Sequence, residues 1–186
     1  MEALDLLLNR VSVPRLIEPA PDAAQREILF SAALRAPDHG LLRPFRFLTV
    51  EGVARERMGL LLAQALQHSG GEFDEKALDK ARNGPLRAPL VVVVIAKLQD
   101  HYKVPKNEQM ITAGCAAHAV LLAAYALGVG AVWRTGELSY SPHVAKGLGL
   151  AADEQVIAFL YLGTAQNPPR VASKVDVADF VSEWQG

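Results

Sequence analysis

The stretch that decides the fold is Pro89-Leu-Val-Val-Val-Val-Ile-Ala-Lys97, PLVVVVIAK in one-letter code. A continuous apolar run rich in β-branched residues is typical of a strand that is covered on both faces. A second run of this kind, QVIAFLYLG, ends at Gly163. We expect two central strands, over 90–96 and 156–162, in an α+β (α/β) sandwich whose sheet is flanked by helices.

Helical spacing and turn residues place the other elements around these two strands. Asp22 followed by Gln25 has the spacing of a capping box, and Ser141-Pro142 supplies an N-cap and a first-turn proline. The patterns predict helices over 2–9, 22–36, 53–67 and 76–82, a long apolar helix from Ile111 and a brief one from Pro142, with further strands at 45–50 and 130–136. No linker or repeat interrupts the chain, so we expect a single domain over 1–186.

The tail over 164–186 has no regular period. It contains two adjacent prolines, yet it carries six large apolar residues, namely Val171, Val175, Val177, Phe180, Val181 and Trp184. An extended arm with apolar side chains is poorly stabilised alone. We therefore expect this arm to pack on something else, such as a partner subunit.

Composition and charge exclude several classes of protein. The 186 residues are 51% hydrophobic and 21% charged, with a formal net charge of −1, which indicates a globular chain without a general attraction to nucleic acid. The single cysteine, Cys115, excludes an internal disulfide. The N-terminal MEALDLLLNR lacks the basic start of a signal peptide, so we expect a cytoplasmic protein.

The segment from Ile111 to Val132 is long enough to suggest a membrane span. Much of its apolar content is alanine and glycine, however, and His118 lies in its middle. A helix that is apolar on all sides is also what a protein core or a subunit interface requires. We therefore expect a buried helix and no membrane contact.

A loop, RAPDHGLLRPFRF from Arg35 to Phe47, combines cations with apolar residues and two prolines. Positive charge on a rigid loop indicates an anion, whereas the leucines and phenylalanines indicate a flat apolar ligand. His39 could donate to or stack on such a ligand, although a surface loop histidine explains it equally well. Arg35 would also be favoured at a helix C-terminus by the helix dipole alone.

Two other segments could bind a ligand. Arg10 and Ser12 are two residues apart before Pro14, and alternate residues of an extended stretch can reach one phosphate. Trp133-Arg-Thr135 follows a predicted strand, at the kind of position where α/β proteins often bind ligands. A turn serine with an exposed arginine, and a core tryptophan with a solvated arginine, are the alternative interpretations.

Other motifs fail. Gly128-Val-Gly130 begins like a dinucleotide fingerprint, but it follows a helix and the third glycine position is Trp133. Cys115 and His118 share a helix face without an evident carboxylate to orient them. The five histidines show no metal-ligand spacing, so we expect no metal site. Any chemistry would then be carried by an organic cofactor.

Five pieces of the chain, taken in order, resemble the FMN-dependent nitroreductase family, in particular its compact YdjA-like branch. They are LLLNRVSVPRLIEPAP, LRAPDHGLLRPFRFLTVEG, DKARNGPLRAPLVVVVIAK, KVPKNEQMITAGCAAHAVLLAAYALGVGAVWRTG and AFLYLGT, and they extend over residues 4–164. The resemblance implies a central mixed β-sheet flanked by helices, in a homodimer with FMN at the subunit interface. It also implies that the arm over 164–186 packs on the partner subunit.

The resemblance assigns cofactor contacts position by position. Those implied for FMN are Arg10, Val11, Ser12, Arg35, His39, Trp133, Arg134 and Thr135. A segment implied to bind the nicotinamide nucleotide comprises Ala123, Ala124, Tyr125, Ala126, Leu127 and Gly128. Three residues depart from the family pattern: Val11 where many relatives have a second arginine, Leu41 where an asparagine often contacts flavin, and Arg43 in place of a glutamine.

The resulting hypothesis is an oxidoreductase that passes hydride from NAD(P)H through FMN to a nitroaromatic or quinone-like acceptor by a ping-pong mechanism. No protein side chain acts as a catalytic nucleophile in this hypothesis. The first alternative is a flavin-binding homodimer with little reductase activity, which the three departures leave open. The second is a flavin-free hydrolase that uses Cys115 and His118.

Overall fold

A computed structural model describes residues 1–71 and 74–186. The helices, in chain order, are α1 (Ala3–Asn9), α2 (Ala23–Ala33), α3 (Val53–His68), α4 (Glu75–Arg82), α5 (Lys106–Ala126) and α6 (Pro142–Gly147). The strands are β1 (Leu16–Ile17), β2 (Phe45–Glu51), β3 (Leu90–Lys97), β4 (Gly130–Arg134) and β5 (Glu154–Ala165). Four short 3-10 turns lie at His39–Leu41, Pro85–Arg87, Glu137–Tyr140 and Val177–Asp179.

Strands β3 and β5 form the centre of the sheet, as expected. They pair along most of their length, with Val92 opposite Leu160. Strand β2 pairs with the other edge of β3, strand β4 pairs with β5, and the two residues of β1 pair with the end of β5. The predicted elements are therefore confirmed, with bounds that shift by a few residues.

The expectation of a mixed sheet is wrong for the part of the chain that the structure describes. Every strand pair there is antiparallel. Helix α5 carries the chain from β3 to β4, and these two strands run in the same direction because both are antiparallel to β5. They do not pair with each other, because β5 lies between them.

Alternate residues of the central strands face two separate apolar layers, because successive side chains of a strand point to opposite faces. Val91, Val93 and Ile95 pack in one core with residues of α3 and α6. Val92 and Val94 pack in the other core with residues of α2 and α5. The valine run is thus covered on both sides, which explains why it is continuously apolar.

Helix α5 is long and apolar enough, by length and composition, to cross a membrane. Its alanines at 113, 116, 117 and 124 are fully buried, and it packs against α2 and the sheet. Small side chains allow this close approach. The opposite side of the helix carries Ile111, which is 64% exposed. The burial of its alanine-rich side supports the expected core helix.

After β5 ends at Ala165, residues 166–186 form an arm that contains one 3-10 turn. Its large apolar side chains are exposed, and Val171 and Trp184 are each 91% accessible. Leu4, Leu7 and Leu8 of α1 are exposed as well. The packing of this arm on a partner subunit stays a prediction.

Candidate functional site

The segment after α1 is pinned to the start of β4. The helix ends at Asn9, and Arg10 already has extended dihedral angles. Three residues later the backbone N–H of Val13 donates to the carbonyl oxygen of Ala131 at 2.8 Å. This hydrogen bond therefore places the Arg10–Ser12 segment beside the start of the strand that leads to Trp133 and Arg134.

Two adjoining cavities lie along this segment. The first, called here the serine cavity, is about 230 Å³ and is lined by Ser12, Val13, Pro14, Arg15, Asn167, Pro168, Pro169 and Arg170. Its two guanidinium groups come from distant parts of the chain, one from the segment before β1 and one from the arm. Two cations and a hydroxyl in one cavity are suited to a phosphate.

The second, called here the tyrosine cavity, is about 80 Å³. It shares Val13 and Pro169 with the serine cavity. Its remaining lining comes from Arg10 and Val11, from Leu121, Tyr125, Gly128 and Val129 at the end of α5, and from Gly130, Ala131 and Ala165. Arg10 and Ser12, expected to share one anion, thus line neighbouring cavities.

A third cavity lies at the other end of β4 and is called here the cationic cavity. It is about 330 Å³ and is lined by Leu62, Leu66, Ala77, Lys80, Ala81, Gly84, Arg87, Arg134, Thr135, Leu138, Ser139, Phe159 and Tyr161. The guanidinium of Arg134 lies 5.6 Å from the centre of the Tyr161 ring, close enough for a cation–π interaction. Burial raises the pKa of the Tyr161 hydroxyl, while Arg134 and Arg87 act to lower that pKa.

Trp133 and Arg134 point to opposite faces of the sheet. Trp133 packs against the core on the α2 and α5 side, whereas Arg134 lies over Tyr161, which belongs to the core on the other side. A ligand at the edge of β4 could touch both residues, but a ligand lying on one face could not. Contact of one FMN molecule with both Trp133 and Arg134, which the resemblance implies, therefore requires an edge position.

The loop over 35–43 is held in an unusual conformation. Gly40, Leu41 and Arg43 all have positive φ angles, of 76°, 52° and 48°. The backbone N–H of Arg43 donates to the Asp38 carboxylate at 2.6 Å. This internal bond closes the loop. Leu41 and Arg43, two of the three departures from the family pattern, are its positive-φ residues other than glycine.

His39 projects from this loop and forms an ion pair when its ring is protonated. Its Nδ1 lies 2.7 Å from Oε2 of Glu108, in the first turn of α5. The two side chains are 54% and 44% exposed. Glu108 therefore orients the His39 ring while leaving it accessible.

The structure brings together some of the predicted contacts and separates others. Arg10 and Val11 meet Tyr125 and Gly128 in the tyrosine cavity, and Arg134 and Thr135 line the cationic cavity. Arg35 and His39 line none of the three cavities. A single chain therefore presents the predicted flavin contacts as three groups, at the start of β4, at its end and on the loop over 35–43.

Three of the six residues of the predicted nicotinamide segment belong to the core. Ala124 is fully buried, and Ala123 and Leu127 pack against the α2 and α5 core. Only Tyr125 and Gly128 of this segment line a cavity. A nucleotide could contact the segment at these two residues and at Ala126, which is exposed, but it could not reach the side chain of Ala124.

Sequence reasoning missed Arg170, Lys80, Arg87 and Ser139 as residues of these cavities. The Pro168-Pro169 pair before Arg170 could have indicated that the arm begins as a rigid segment and holds the arginine in place. Lys80 and Arg87 lie in a charged segment that resembles any solvated surface, and their sequence carries no comparable signal.

Cys115 and His118 give no support to a hydrolase. Cys115 is partly buried and His118 is exposed on α5, and within residues 1–71 and 74–186 neither side chain makes a hydrogen bond to the other. Residues 1–71 and 74–186 contain no cluster of three or more side chains that could bind a metal ion.

Comparison with known proteins identifies the family. The model of the nitroreductase family matches residues 9–164 of the chain. The chain belongs to the nitroreductase family. This membership confirms the resemblance and the expectation of an oxidoreductase. The Escherichia coli K12 protein named "Putative NAD(P)H nitroreductase YdjA" is 44% identical over 179 residues, which cover 96% of each chain.

Solved structures agree with this assignment at the level of the fold. The nitroreductase-like family protein from Bacillus cereus superimposes with a TM-score of 0.82 at 20% identity, over 100% of this chain and 97% of that chain. A mutant of NfnB, an FMN and NADPH-dependent nitroreductase from Sphigopyxis sp. strain HMH, superimposes with a TM-score of 0.79 at 19% identity over the whole of both chains. The expected α+β fold, a sheet flanked by helices, is confirmed.

Proposed function

We propose that the chain is an FMN-dependent NAD(P)H oxidoreductase, active as a cytoplasmic homodimer, that reduces nitroaromatic or quinone-like acceptors. The observation that carries this proposal is that arginine side chains line cavities at both ends of β4. Arg10, Arg15 and Arg170 lie near its start, and Arg134 lies at its end. From Gly130 to Thr135 a strand extends roughly 17 Å, a span comparable to that of FMN between its phosphate and its ring system.

The donor set at the start of β4 fits a phosphate. Arg10 and Ser12 are the contacts implied by the family pattern. Many relatives have a second arginine where this chain has Val11. Arg15 and Arg170, which line the serine cavity beside Ser12, would supply the missing positive charge. We assign the FMN phosphate to these four side chains.

The ring system would lie against the edge of β4, where it can meet both Trp133 and Arg134 although they face opposite sides of the sheet. When bound, FMN supplies hydride-transfer chemistry that no side chain of the chain provides. Arg134 would hold positive charge beside the ring. The tryptophan and the apolar residues around β4 would exclude water from it.

Arg35 and His39 fit this scheme as contacts from a second copy of the chain. They line none of the three cavities of their own chain. Their loop is nevertheless held in place, because Asp38 accepts a hydrogen bond from the backbone N–H of Arg43 and Glu108 contacts the His39 ring. The exposed apolar residues of α1 and the arm are the kind of surface that a homodimer covers. NAD(P)H and the acceptor would then use the accessible ring face in turn, as a ping-pong mechanism requires.

The experiment that tests this proposal starts with the colour, absorption spectrum and solution mass of the purified protein. We expect a yellow dimer that oxidises NADH or NADPH in the presence of a nitroaromatic acceptor. A colourless monomer would contradict the proposal. A yellow dimer that oxidises neither nucleotide would instead support a flavin-binding protein without reductase activity.

A further inference from the structure

The cationic cavity holds more positive charge than the family pattern explains. Arg134 is one of the implied flavin contacts, but Lys80 on α4 and Arg87 in the following 3-10 turn are not. No acidic side chain lines the cavity. Within residues 1–71 and 74–186, none of these three cations takes part in an ion pair.

The rest of the lining is apolar and aromatic. Leu62, Leu66 and Leu138 form part of the wall, and the rings of Phe159 and Tyr161 are also exposed to the cavity. A cavity with apolar walls and a few converging polar groups is the usual form of a site for a small molecule. Its 330 Å³ volume is at the lower end of the range for such sites, roughly 300–1,000 Å³.

One polar atom in this lining has no partner. The hydroxyl oxygen of Ser139 is buried and makes no hydrogen bond with the described residues, and the residue is 6% exposed. A buried polar atom without a partner costs free energy. A water or ligand atom that completed its hydrogen bonding would remove this cost, and Ser139 also lines a neighbouring cavity with Tyr140, Ser141 and Glu154.

We propose that the cationic cavity binds the carboxylate of an aromatic electron acceptor, so that the acceptors favoured by this enzyme are aromatic acids. Lys80 and Arg87 would bind the carboxylate, with the ring held between the leucines and Tyr161. Because Arg134 and Thr135 belong both to this cavity and to the proposed flavin segment, the far end of the acceptor would point toward the cofactor. This inference rests on the proposed function.

For a nitro acid the redox step balances without a further reactant. NAD(P)H provides a hydride, with two electrons, and solvent provides a proton. One N–O bond of the nitro group breaks and its oxygen leaves as water, which gives the nitroso acid and NAD(P)⁺. The carboxylate takes no part in this step, so it can serve only for binding and selectivity.

The kinetic test compares 4-nitrobenzoate with 4-nitrobenzamide, a neutral acceptor of the same size, in the FMN-loaded protein. The quantity compared between the wild type and each variant is the ratio of the two kcat/KM values. Because the two nitro groups differ in intrinsic reactivity, only a change in this ratio reports on the site. We expect Arg87→Gln to lower the acid-to-amide ratio about tenfold, as the loss of a charge-assisted hydrogen bond does, and Lys80→Gln to lower it less. Arg87→Lys should retain most of the ratio.

The matched control is Lys146→Gln, which removes an exposed lysine of α6 that lines none of the three cavities. This substitution should leave the ratio unchanged. If Arg87→Gln and Lys80→Gln leave it unchanged as well, the carboxylate site is disproved, although the reductase function stands.

A binding measurement separates failure of the site from failure of the proposed function. Benzoate cannot be reduced, so its calorimetric titration into the FMN-loaded protein reports the cavity alone. We expect benzoate to bind more tightly than benzamide, with the difference lost at high salt and in the Arg87→Gln variant. Equal binding of the two compounds, or no binding of benzoate, overturns the inference. Absence of NAD(P)H oxidation with every acceptor, together with selective benzoate binding, overturns the reductase function and keeps the site.

Discussion

The backbone N–H of Val13 donates to the carbonyl oxygen of Ala131 at 2.8 Å. This single bond fixes the extended segment after α1 to the start of β4. It thereby brings two parts of the chain, more than a hundred residues apart, into one site. Arg10 and Ser12 lie on one side of the bond, and the strand leading to Trp133 and Arg134 continues from the other. The proposed phosphate and ring positions of FMN follow from this arrangement.

The first prediction concerns Arg170, which the arm places in the serine cavity beside Ser12 and Arg15. We expect Arg170→Ala to weaken FMN binding by roughly 10- to 150-fold, since a charge-assisted hydrogen bond contributes about 1.5–3 kcal/mol and about 1.4 kcal/mol corresponds to a factor of ten. Titration of apoprotein with FMN, followed by flavin fluorescence, measures the dissociation constant. Arg57→Ala, an exposed position outside the three cavities, is the control. Equal affinities in both variants would remove Arg170 from the phosphate site.

The second prediction concerns the contact between α3 and α4. Gly59 lies directly against the carbonyl oxygen of Arg82, and a methyl group at Gly59 would clash with that backbone atom. We expect Gly59→Ala to lower the free energy of unfolding by about 3 kcal/mol, because two backbones must separate. Urea denaturation measures this change. Gln64→Ala, on the exposed side of the same helix, should change stability by less than about 0.5 kcal/mol.

The third prediction is an acid transition that depends on Glu154. Its carboxylate accepts two hydrogen bonds from Arg46, at 2.6 and 2.8 Å, and the side chain is 7% exposed. The hydrogen bonds from Arg46, with smaller contributions from the backbone N–H of Ala151 and the charge of Lys97, lower the pKa of Glu154 from its ordinary 4.5 to about 2. A folded-state pKa below the unfolded one stabilises the protein above pH 4.5, and this contribution is lost as the pH falls toward 2.

The test is thermal unfolding between pH 7 and pH 2. We expect Glu154→Gln to be less stable than the wild type at pH 7, by on the order of 1–3 kcal/mol. The difference should shrink as the pH falls, since protonation removes the same charge from the wild type. A gap of constant size across this range would show that the ion pair does not cause the acid dependence.

The sequence predicts the fold better than it predicts the site, and β3 shows why. A valine run with both faces covered has one structural explanation, so the central pair of β3 and β5 follows directly from it. The antiparallel sheet does not follow, because nothing in the pattern of β4 shows that β5 lies between it and β3. Pairing partners depend on the whole topology rather than on the strand itself.

The site has a different limit. Arg10, Ser12 and Arg134 stand in short segments with a recognisable pattern, and the structure places them around one strand. Arg170 and Arg87 have ordinary neighbours in the sequence and gain significance only from the residues that the fold brings to them. Trp133 and Arg134 are adjacent in sequence, but strand geometry sends them to opposite faces. Adjacent positions in the sequence therefore do not mean that one face of a ligand can contact both side chains.

The fourth prediction tests backbone strain in the loop over 35–43. Leu41 has a φ of 52° and is 80% exposed, so it bears the cost of a left-handed conformation without the benefit of burial. Asparagine tolerates this conformation better. We expect Leu41→Asn to raise the free energy of unfolding by up to about 1 kcal/mol in urea denaturation. Leu42→Asn, at a φ of −73° and partly buried, should not stabilise the protein. A loss of stability in Leu41→Asn would mean that a partner surface covers Leu41.

The fifth prediction concerns the arm and the homodimer. Phe180 and Trp184 are 77% and 91% exposed in the single chain, and burial of two aromatic side chains against a second copy would contribute several kcal/mol to association. We expect the double variant Phe180→Ser and Trp184→Ser to shift the protein from dimer to monomer in light scattering and to weaken FMN binding, because each site would lose the loop of the other copy. Val53→Ser removes an apolar side chain of similar exposure, 64%, on α3, and should leave the dimer intact. A double variant that remains dimeric and fully loaded with FMN would exclude the arm from the interface.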